Sequence, residues 1–251
     1  YYPHNNLDTD EKLAASYLGG VYSCVNNGEI TINITTLNKL ASIGGIIGCV
    51  GKVYNKANDN RYIFSYVDNC INNGNVTYSG TTINGSLFFL GGISGYCAGD
   101  MTNTTNNGAV KYSVPDATAQ PIQIGGVTGW FSGNINNVHN NGDVTLDNIK
   151  PGYMVVGGIA GISQNGNYTD TPSQYITVEN CSNSGNITID YYAQSTKFHF
   201  AGGLIGDVPN TSPYDSKQKG GSVAFNNLIN KGAVTVVNHN ADQVSSICVG
   251  G

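Results

Sequence analysis

Residues 91–110 read GGISGYCAGDMTNTTNNGAV, and residues 125–144 repeat the pattern as GGVTGWFSGNINNVHNNGDV. Each stretch opens with two glycines followed by an apolar residue, and each contains the triplet Asn-x-Gly near its end. The Gly pair recurs at residues 19–20, 44–45, 91–92, 125–126, 157–158, 202–203 and 250–251. The triplet alternates with it, at Asn26/Gly28, Asn72/Gly74, Asn106/Gly108, Asn140/Gly142, Asn183/Gly185 and Asn230/Gly232. This alternation indicates a repeat protein in which each Gly pair opens a new unit.

The residues around the triplet alternate with the period of a β-strand. We call a set of equivalent positions in successive units a column. The positions two and four residues after the triplet Gly are apolar, with mostly Thr between them. These apolar columns are Ile30, Val76, Val110, Val144, Ile187 and Val234, and Ile32, Tyr78, Tyr112, Leu146, Ile189 and Val236. Two further inward columns precede the Gly, namely Val21, Val67, Met101, Ile135, Val178 and Phe225, and Cys24, Cys70, Thr104, Val138, Cys181 and Leu228. A period of two, with no helical period anywhere, predicts an all-β protein.

One unit is too small to bury its own apolar face, so consecutive units are expected to stack and share one elongated core. We therefore predict an elongated parallel β-solenoid, or β-helix, built from about six Gly- and Asn-rich repeats. A β-sandwich or a propeller is the competing fold, because a unit of roughly 32–48 residues could also supply a small antiparallel sheet.

Each triplet is expected to form a turn. We expect its Gly to adopt a positive φ and its Asn to bond the same turn or to stack on the Asn of the next unit. In-register Asn ladders satisfy side-chain amides inside parallel β stacks. The twelve Asn and Gly residues of the triplets are thus predicted to be structural turn and ladder residues.

The repeat array is predicted to cover residues 19–251, with units starting near residues 19, 44, 91, 125, 157 and 202 and a truncated unit at 250. Residues 1–18 are atypical and more charged, and they are predicted to cap the first sheet edge. Because the sequence stops where a new unit would begin, we expect an open C-terminal end, covered by further repeats or subunits of the same large assembly.

The composition restricts the class of partner. Only 11% of the 251 residues are charged and the net charge is −5, against roughly 25% charged residues in an average soluble domain. The absence of any Lys or Arg run argues against nucleic acid as a partner. Every apolar stretch is far shorter than the roughly 20 residues of a membrane-spanning helix, so no membrane span is expected.

No motif has the spacing of a cofactor site or a catalytic site. The GGxxG motifs lack the following helix of a phosphate site, and the six cysteines lack the spacing of a zinc site. Cys49 and Cys97 occupy nearly matching places in successive units, which leaves a disulfide open. Some β-helices degrade polysaccharides, but the acids here are isolated. We therefore expect no cofactor, no metal site and no enzymatic activity.

Three units carry extra residues at one place, in residues 52–62, 163–175 and 207–222. Equivalent insertions in a stacked architecture project from one edge, which is often the binding face. Tyrosines in or beside them are candidate glycan-binding residues, because a flat ring with a hydroxyl suits the face of a sugar. These are Tyr54, Tyr62, Tyr66, Tyr168, Tyr175 and Tyr214. Tyr is also common in strands, which is the alternative explanation.

The two stretches quoted first resemble the GLUG motif repeat, in which Gly-Gly-apolar-x-Gly is followed by an Asn-rich stretch and by x-Gly-apolar. The resemblance covers most of residues 44–236, although the long units depart by insertion and the first unit is compressed to GGVYSCVNNG. It implies a secreted or cell-surface setting, often adhesin-like, and it carries no catalytic residue.

On this basis we expect a non-enzymatic structural or adhesive segment of a large extracellular or surface protein, mediating protein-protein or cell-surface attachment. The alternative is a glycan-binding module that uses the Tyr-bearing insertions.

Overall fold

The computed structural model describes residues 19–55, 61–84, 87–115, 117–163, 176–193, 199–208, 223–240 and 246–251. Within these ranges the protein is all-β and contains no helix. Every strand pair in them is parallel except one hairpin. The prediction of an all-β protein with mainly parallel strands is thus confirmed. The predicted cap, residues 1–18, lies outside the described residues.

The first thirteen strands, in chain order, are β1 (Gly20–Tyr22), β2 (Val25–Asn26), β3 (Ile30–Leu37), β4 (Ala41–Gly44), β5 (Ile47–Val50), β6 (Lys52–Asn55), β7 (Arg61–Phe64), β8 (Tyr66–Asp68), β9 (Ile71–Asn72), β10 (Val76–Ile83), β11 (Phe88–Gly91), β12 (Ser94–Cys97) and β13 (Asp100–Asn106). The next strands are β14 (Val110–Ser113), β15 (Ala117–Gly125), β16 (Thr128–Phe131), β17 (Ile135–Asn140), β18 (Val144–Gly157), β19 (Ala160–Ser163), β20 (Ile176–Asn183), β21 (Ile187–Tyr191), β22 (His199–Gly202), β23 (Ile205–Asp207), β24 (Val223–Asn230), β25 (Val234–Asn238) and β26 (Ile247–Gly250).

Three sheets hold all of these strands except the antiparallel hairpin β6–β7. Sheet A has the order β1-β8-β13-β17-β20-β24, with β2 and β9 paired beside it. Sheet B has two limbs that meet in the long strand β18. Its first limb has the order β3-β10-β14-β18-β21-β25, and its second limb has the order β4-β11-β15-β18-β22-β26. Sheet C has the order β5-β12-β16-β19-β23.

The chain visits these sheets in a repeated order. From β11 in the second limb it turns at the Gly pair into β12 of sheet C, continues as β13 in sheet A and β14 in the first limb, and returns as β15 beside β11. Val110 of β14 pairs with Val76 on one side and Val144 on the other. Gly91 likewise pairs with Gly44 and with Gly125. Equivalent residues of successive units therefore stack in columns.

Two apolar clusters fill the space between the sheets. Core 1 lies between the two limbs of sheet B, where the rings of Tyr78 and Tyr112 stack with their centroids 5.8 Å apart. Core 2 lies between sheets A and C and includes Met101 and Phe131. In the interior units, the columns predicted to face inward are buried in these cores. The strand period was therefore sufficient to predict which side chains pack inside.

Core 3, a third cluster, lies where the outer faces of the second limb and sheet C pack against each other. Its buried members are Phe89, Ala98, Trp130, Val155 and Ile162. The ring of Trp130 stacks on that of Tyr96 at a centroid distance of 4.2 Å. The last Gly of each GGxxG motif permits this packing, since a Cβ on Gly129 would lie 2.6 Å from the carbonyl oxygen of Gln123.

The expectation of a positive φ at the triplet Gly is wrong. No Gly in the described ranges has a positive φ, and this holds for all six triplet glycines, Gly28, Gly74, Gly108, Gly142, Gly185 and Gly232. In each unit a residue in the left-handed region lies instead three positions before the triplet Asn, outside the triplet turn. These residues have φ between 49° and 55°, and they are Ser23, Asn69, Asn103, Asn137, Asn180 and Asn227.

Close packing between units is what requires Gly in the triplet. A Cβ on Gly108 would lie 1.9 Å from the carbonyl oxygen of Gly74 in the preceding unit. The same clash recurs along the column at 1.9–2.0 Å, for a Cβ on Gly142, Gly185 or Gly232 against the carbonyl oxygen of the preceding triplet Gly. The lack of a side chain at these positions lets neighbouring backbones approach each other.

Cys49 and Cys97 do not occupy matching positions, contrary to the spacing argument. Cys49 pairs with Tyr96, and Cys97 pairs with Val50. A shift of one residue places two side chains on opposite faces of a strand. The Cys49 thiol is accordingly exposed, while that of Cys97 is buried in core 2. All six cysteines of the chain are free thiols in this structure.

Candidate functional site

The outer face of sheet A carries two polar columns. They flank the column of Val67 and Met101, which points into core 2, so the strand period turns both polar columns outward. One column comprises Tyr66, Asp100, Asn134 and Thr177, and the other comprises Tyr22, Asp68, Thr102, Asn136 and Glu179. The sheet therefore presents aromatic, carboxylate, amide and hydroxyl groups in rows on one surface.

These columns line an open groove of about 690 Å³ that crosses β1, β8, β13, β17 and β20. We call it the polar groove; its lining is Tyr22, Tyr66, Asp68, Asp100, Thr102, Asn103, Asn134, Asn136, Thr177 and Glu179. Three of these side chains are carboxylic acids, and none is Lys, Arg or His. The charge of the lining is therefore negative, which disfavours an acidic ligand.

Hydrogen bonds between neighbouring units hold the polar side chains in place. One carboxylate oxygen of Asp68 accepts from the Thr102 hydroxyl at 2.6 Å and from the Asn103 amide at 2.9 Å. These bonds lower the pKa of Asp68, so that its carboxylate is ionised at neutral pH. Asp100 accepts from the backbone N–H of Asn134 at 2.7 Å. The groove is thus organised before any ligand arrives.

The six triplet Asn residues form a ladder between core 1 and core 2. Each Nδ2 up to Asn183 donates to the Oδ1 of the next ladder Asn at 2.7–2.9 Å. Each Nδ2 also donates, at 2.7–2.9 Å, to the carbonyl oxygen of the Gly two residues later. The four interior members are fully buried. Because the amides of these side chains bond to the next unit and to their own turn, these residues have a structural role.

Of the six candidate tyrosines, Tyr66 lies in the polar groove. Tyr54 and Tyr62 are directly opposite each other in the hairpin β6–β7, whose side chains lie outside the described part of the structure. Tyr168, Tyr175 and Tyr214 also lie outside the described residues. For those five tyrosines, a glycan-binding role stays a prediction.

Sequence reasoning missed Tyr22, which lines the groove beside Asp68. A signal for it was present in the sequence. The column seven residues before the triplet Gly is apolar and inward, so the positions on both sides of it must face outward together. Reading those two positions across the units gives the groove lining, and Tyr22 and Tyr66 are its two aromatic members.

The described residues contain no group of three or more His, Cys, Asp or Glu side chains that could hold a metal ion. Nor does any helix long and apolar enough to span a membrane occur in the part of the chain that the structure describes. Comparisons of the chain with protein-family models, curated proteins and solved structures find no match.

Proposed function

We propose that the protein is a non-enzymatic structural and adhesive segment, built as a parallel β-solenoid of about six stacked units. The observation that carries this proposal is the Asn ladder, in which each unit is bonded to the next by the same side-chain amide. Such repetition serves to extend a scaffold along one axis. A catalytic site would instead require a locally distinct group of residues.

The same proposal includes membership of the GLUG repeat family and export to the cell surface or the extracellular space. Support comes from the glycines of the motif, which the packing requires. A Cβ on Gly92 would lie 2.2 Å from the side-chain amide of Asn106. The Gly pair and the triplet thus belong to one contact within each unit, which explains why they alternate along the chain.

Attachment to further repeats or subunits would occur through the edges of the sheets. β24 is the last strand of sheet A, and Phe225, although it belongs to an inward column, is 48% exposed. Val249 of β26, at the same edge of the second limb, is 53% exposed. A further unit in the same register would cover both side chains and continue the cores.

Small-angle scattering and sedimentation test this proposal together. We expect an elongated particle whose association increases with concentration, and Phe225→Lys or Val249→Lys should reduce that association by placing a charge on the edge. Thr188→Lys, on the exposed lateral face of β21, is the matched control and should leave association unchanged. A near-spherical monomer at high concentration, with slow amide exchange in residues 235–237, would contradict the proposal.

A second candidate function, glycan binding, is favoured by the polar groove. Partly exposed Tyr rings beside fixed Asp, Asn and Thr side chains suit a hydroxyl-rich sugar. A glycan array distinguishes the two functions. Tyr66→Ala and Tyr22→Ala should each abolish binding to one neutral sugar class, whereas Tyr192→Ala, outside the groove, should retain it. Array binding that is lost equally in all three variants would argue against the groove.

A further inference from the structure

Two cysteines of the first two units lie directly opposite each other. Cys24 follows β1 and Cys70 follows β8, in neighbouring parallel strands of sheet A. The backbone N–H of Ile71 donates to the carbonyl oxygen of Cys24 at 2.8 Å. The residues on both sides of the cysteines are in register, at Tyr22↔Asp68 and Val25↔Ile71. This register leaves Cys24 and Cys70 as direct partners.

The spacing of the two residues suits a disulfide. Neighbouring strands of a sheet lie about 4.8 Å apart, and the Cα atoms of disulfides are separated by roughly 4.4–6.8 Å. The Cys70 Sγ lies 3.5 Å from the carbonyl oxygen of Val21 in the neighbouring unit, and the Cys24 Sγ lies 3.4 Å from that of Tyr22. Both sulfur atoms are therefore placed along the same short stretch of backbone.

None of the other cysteines has a cysteine opposite it. Their partners in the neighbouring units include Tyr96 for Cys49, Val50 and Phe131 for Cys97, Leu228 for Cys181 and Phe200 for Cys248. The one-residue shift between Cys49 and Cys97 makes them an internal control for the effect of register. They come from neighbouring units, as Cys24 and Cys70 do, but they face opposite sides.

We propose that Cys24 and Cys70 are an oxidisable pair that closes to a disulfide and covalently ties the first unit to the second. The oxidant is a small-molecule disulfide such as oxidised glutathione. The exposed Cys24 thiolate attacks it, forms a mixed disulfide and releases one glutathione thiolate. The Cys70 thiolate then attacks the Cys24 sulfur and displaces the second glutathione thiolate. Two protein S–H bonds are thus replaced by one S–S bond, and the two protons pass to two molecules of glutathione.

The second step is expected to be the slow one at neutral pH. Burial raises the pKa of the Cys70 thiol, and a hydrogen bond with the backbone of Cys24 offsets part of this shift. Because only the thiolate attacks, ring closure should accelerate as the pH rises above neutrality.

The cross-link would restrain the first unit, which is the unit least stabilised by burial. In the first unit the strands of sheet A are only three and two residues long, and Val25 is 57% exposed. Among the described residues, the only neighbouring unit against which the first unit packs is the second. A covalent bond to that unit therefore restrains the edge of the array most directly, and oxidation should slow amide exchange in β1 and β2.

The test uses the reduced full chain incubated with oxidised glutathione, quenched with acid and alkylated in denaturant. We expect a linked peptide that contains Cys24 and Cys70. The exposed thiols of Cys49 and Cys248 can each carry one glutathione, and the buried Cys97 and Cys181 should remain alkylatable. A digest that cleaves on both sides of Cys49 and between Cys70 and Cys97 places each of these cysteines on its own peptide and so identifies the partner. The measurement needs no variant, so it does not depend on the folding of one.

Two variants sharpen the result. Cys49→Ser should behave as the wild type, because Cys49 is outside the pair. Cys70→Ser should stop the reaction at the first step and leave Cys24 carrying one glutathione. Six alkylatable thiols in the oxidised wild type, a link between Cys49 and Cys97, or a link only between two molecules would overturn the proposal.

Discussion

The same repeat positions behave differently in the interior units and in the edge units. In the column seven residues before the triplet Gly, Met101 is 1% exposed, whereas Phe225 in the last strand of sheet A is 48% exposed. In the ladder, Asn106 is fully buried, whereas Asn26 is half-buried. All four residues lie in strands. The difference therefore comes from the number of neighbouring units and not from local structure.

This comparison shows how the fold is stabilised. A unit supplies apolar side chains and turns, but its two neighbours supply the burial, so the free energy of the fold lies mainly in the contacts between units. Substitutions at equivalent positions should consequently have unequal effects, large in the interior and small at the edge.

The largest expected effect is the loss of an interior ladder Asn. Asn106→Ala leaves the Asn72 amide, the Asn140 Oδ1 and the Gly108 carbonyl without their buried partner. We expect a loss of about 3–9 kcal/mol from the free energy of unfolding, at about 1–3 kcal/mol for each of the three orphaned groups. Urea unfolding measures it. Asn26→Ala, where water can replace the lost bonds, should cost about 1 kcal/mol. Equal losses would contradict the role of the neighbours.

A slightly smaller effect is expected at the Gly pair. A Cβ on Gly126 would lie 2.2 Å from the carbonyl oxygen of Gly158 and 2.4 Å from the Asn140 amide. Gly126→Ala should therefore destabilise the protein by about 3 kcal/mol through overpacking. The edge position for comparison is the triplet Gly28 of the first unit, where the nearest atom would be 3.7 Å away, against 1.9 Å at its interior equivalent Gly108. Gly28→Ala should change the melting temperature little, and a large decrease there would show that the edge is as tightly packed as the interior.

The buried His199 tests how well the last strand of the second limb covers its neighbour. Its ring nitrogens have no hydrogen-bond partner among the described residues, and burial lowers its pKa to about 4. In the unfolded chain the pKa of His199 is near 6.5, so the unfolded state binds a proton to this ring more tightly than the folded state does. The free energy of unfolding therefore falls as the pH drops from 6.5 to 4. The loss amounts to about 3 kcal/mol below pH 4.

His199→Met matches the paired residue Met154 of the neighbouring unit and removes the titrating group. The difference in unfolding free energy between this variant and the wild type should grow as the pH decreases through that window. A constant difference from pH 7 to pH 4 would mean that the ring is accessible to water and that β26 does not seal the end of core 1.

The smallest effect is expected at the interior Tyr112. Its hydroxyl is buried without a hydrogen-bond partner in the described structure, and burial raises the pKa of Tyr112. Tyr112→Phe removes an unsatisfied polar group and should stabilise the protein by about 1 kcal/mol. Tyr192→Phe, at a half-buried ring near the edge, should be neutral in the same thermal unfolding experiment. A decrease in stability at Tyr112 would reveal a hidden partner for the hydroxyl.

The sequence was sufficient to predict the all-β class, the parallel stacking and the inward columns, because few folds are compatible with both a period of two and a fixed repeat. It also pointed to Tyr66, through the position of the inserted segments. It predicted the wrong conformation for the triplet Gly, since the need for Gly arises from the backbone of the neighbouring unit, which no local pattern reveals.

The repeat pattern of the sequence could not predict contacts between the faces of different sheets. The repeat assigns each residue to a column, but the distance between two columns depends on how sharply the chain turns at the Gly pair. Core 3 arises in this way, with Trp130 packed against an outer face. Cys49 and Cys97 were misplaced because a count from the Gly pair cannot resolve a difference of one residue, although such a difference reverses the face.

The Asn ladder also gives the array a direction. Each ladder Asn from Asn26 to Asn183 donates an N–H to the later unit, and each from Asn72 to Asn230 accepts one from the earlier unit, so the amide dipoles add along the ladder and polarise one another. The two sides of the ladder therefore differ chemically: a further unit stacked after Asn230 would accept an N–H from it, whereas a unit stacked before Asn26 would donate one to it. The sense of this ladder fixes the orientation in which any added unit must stack.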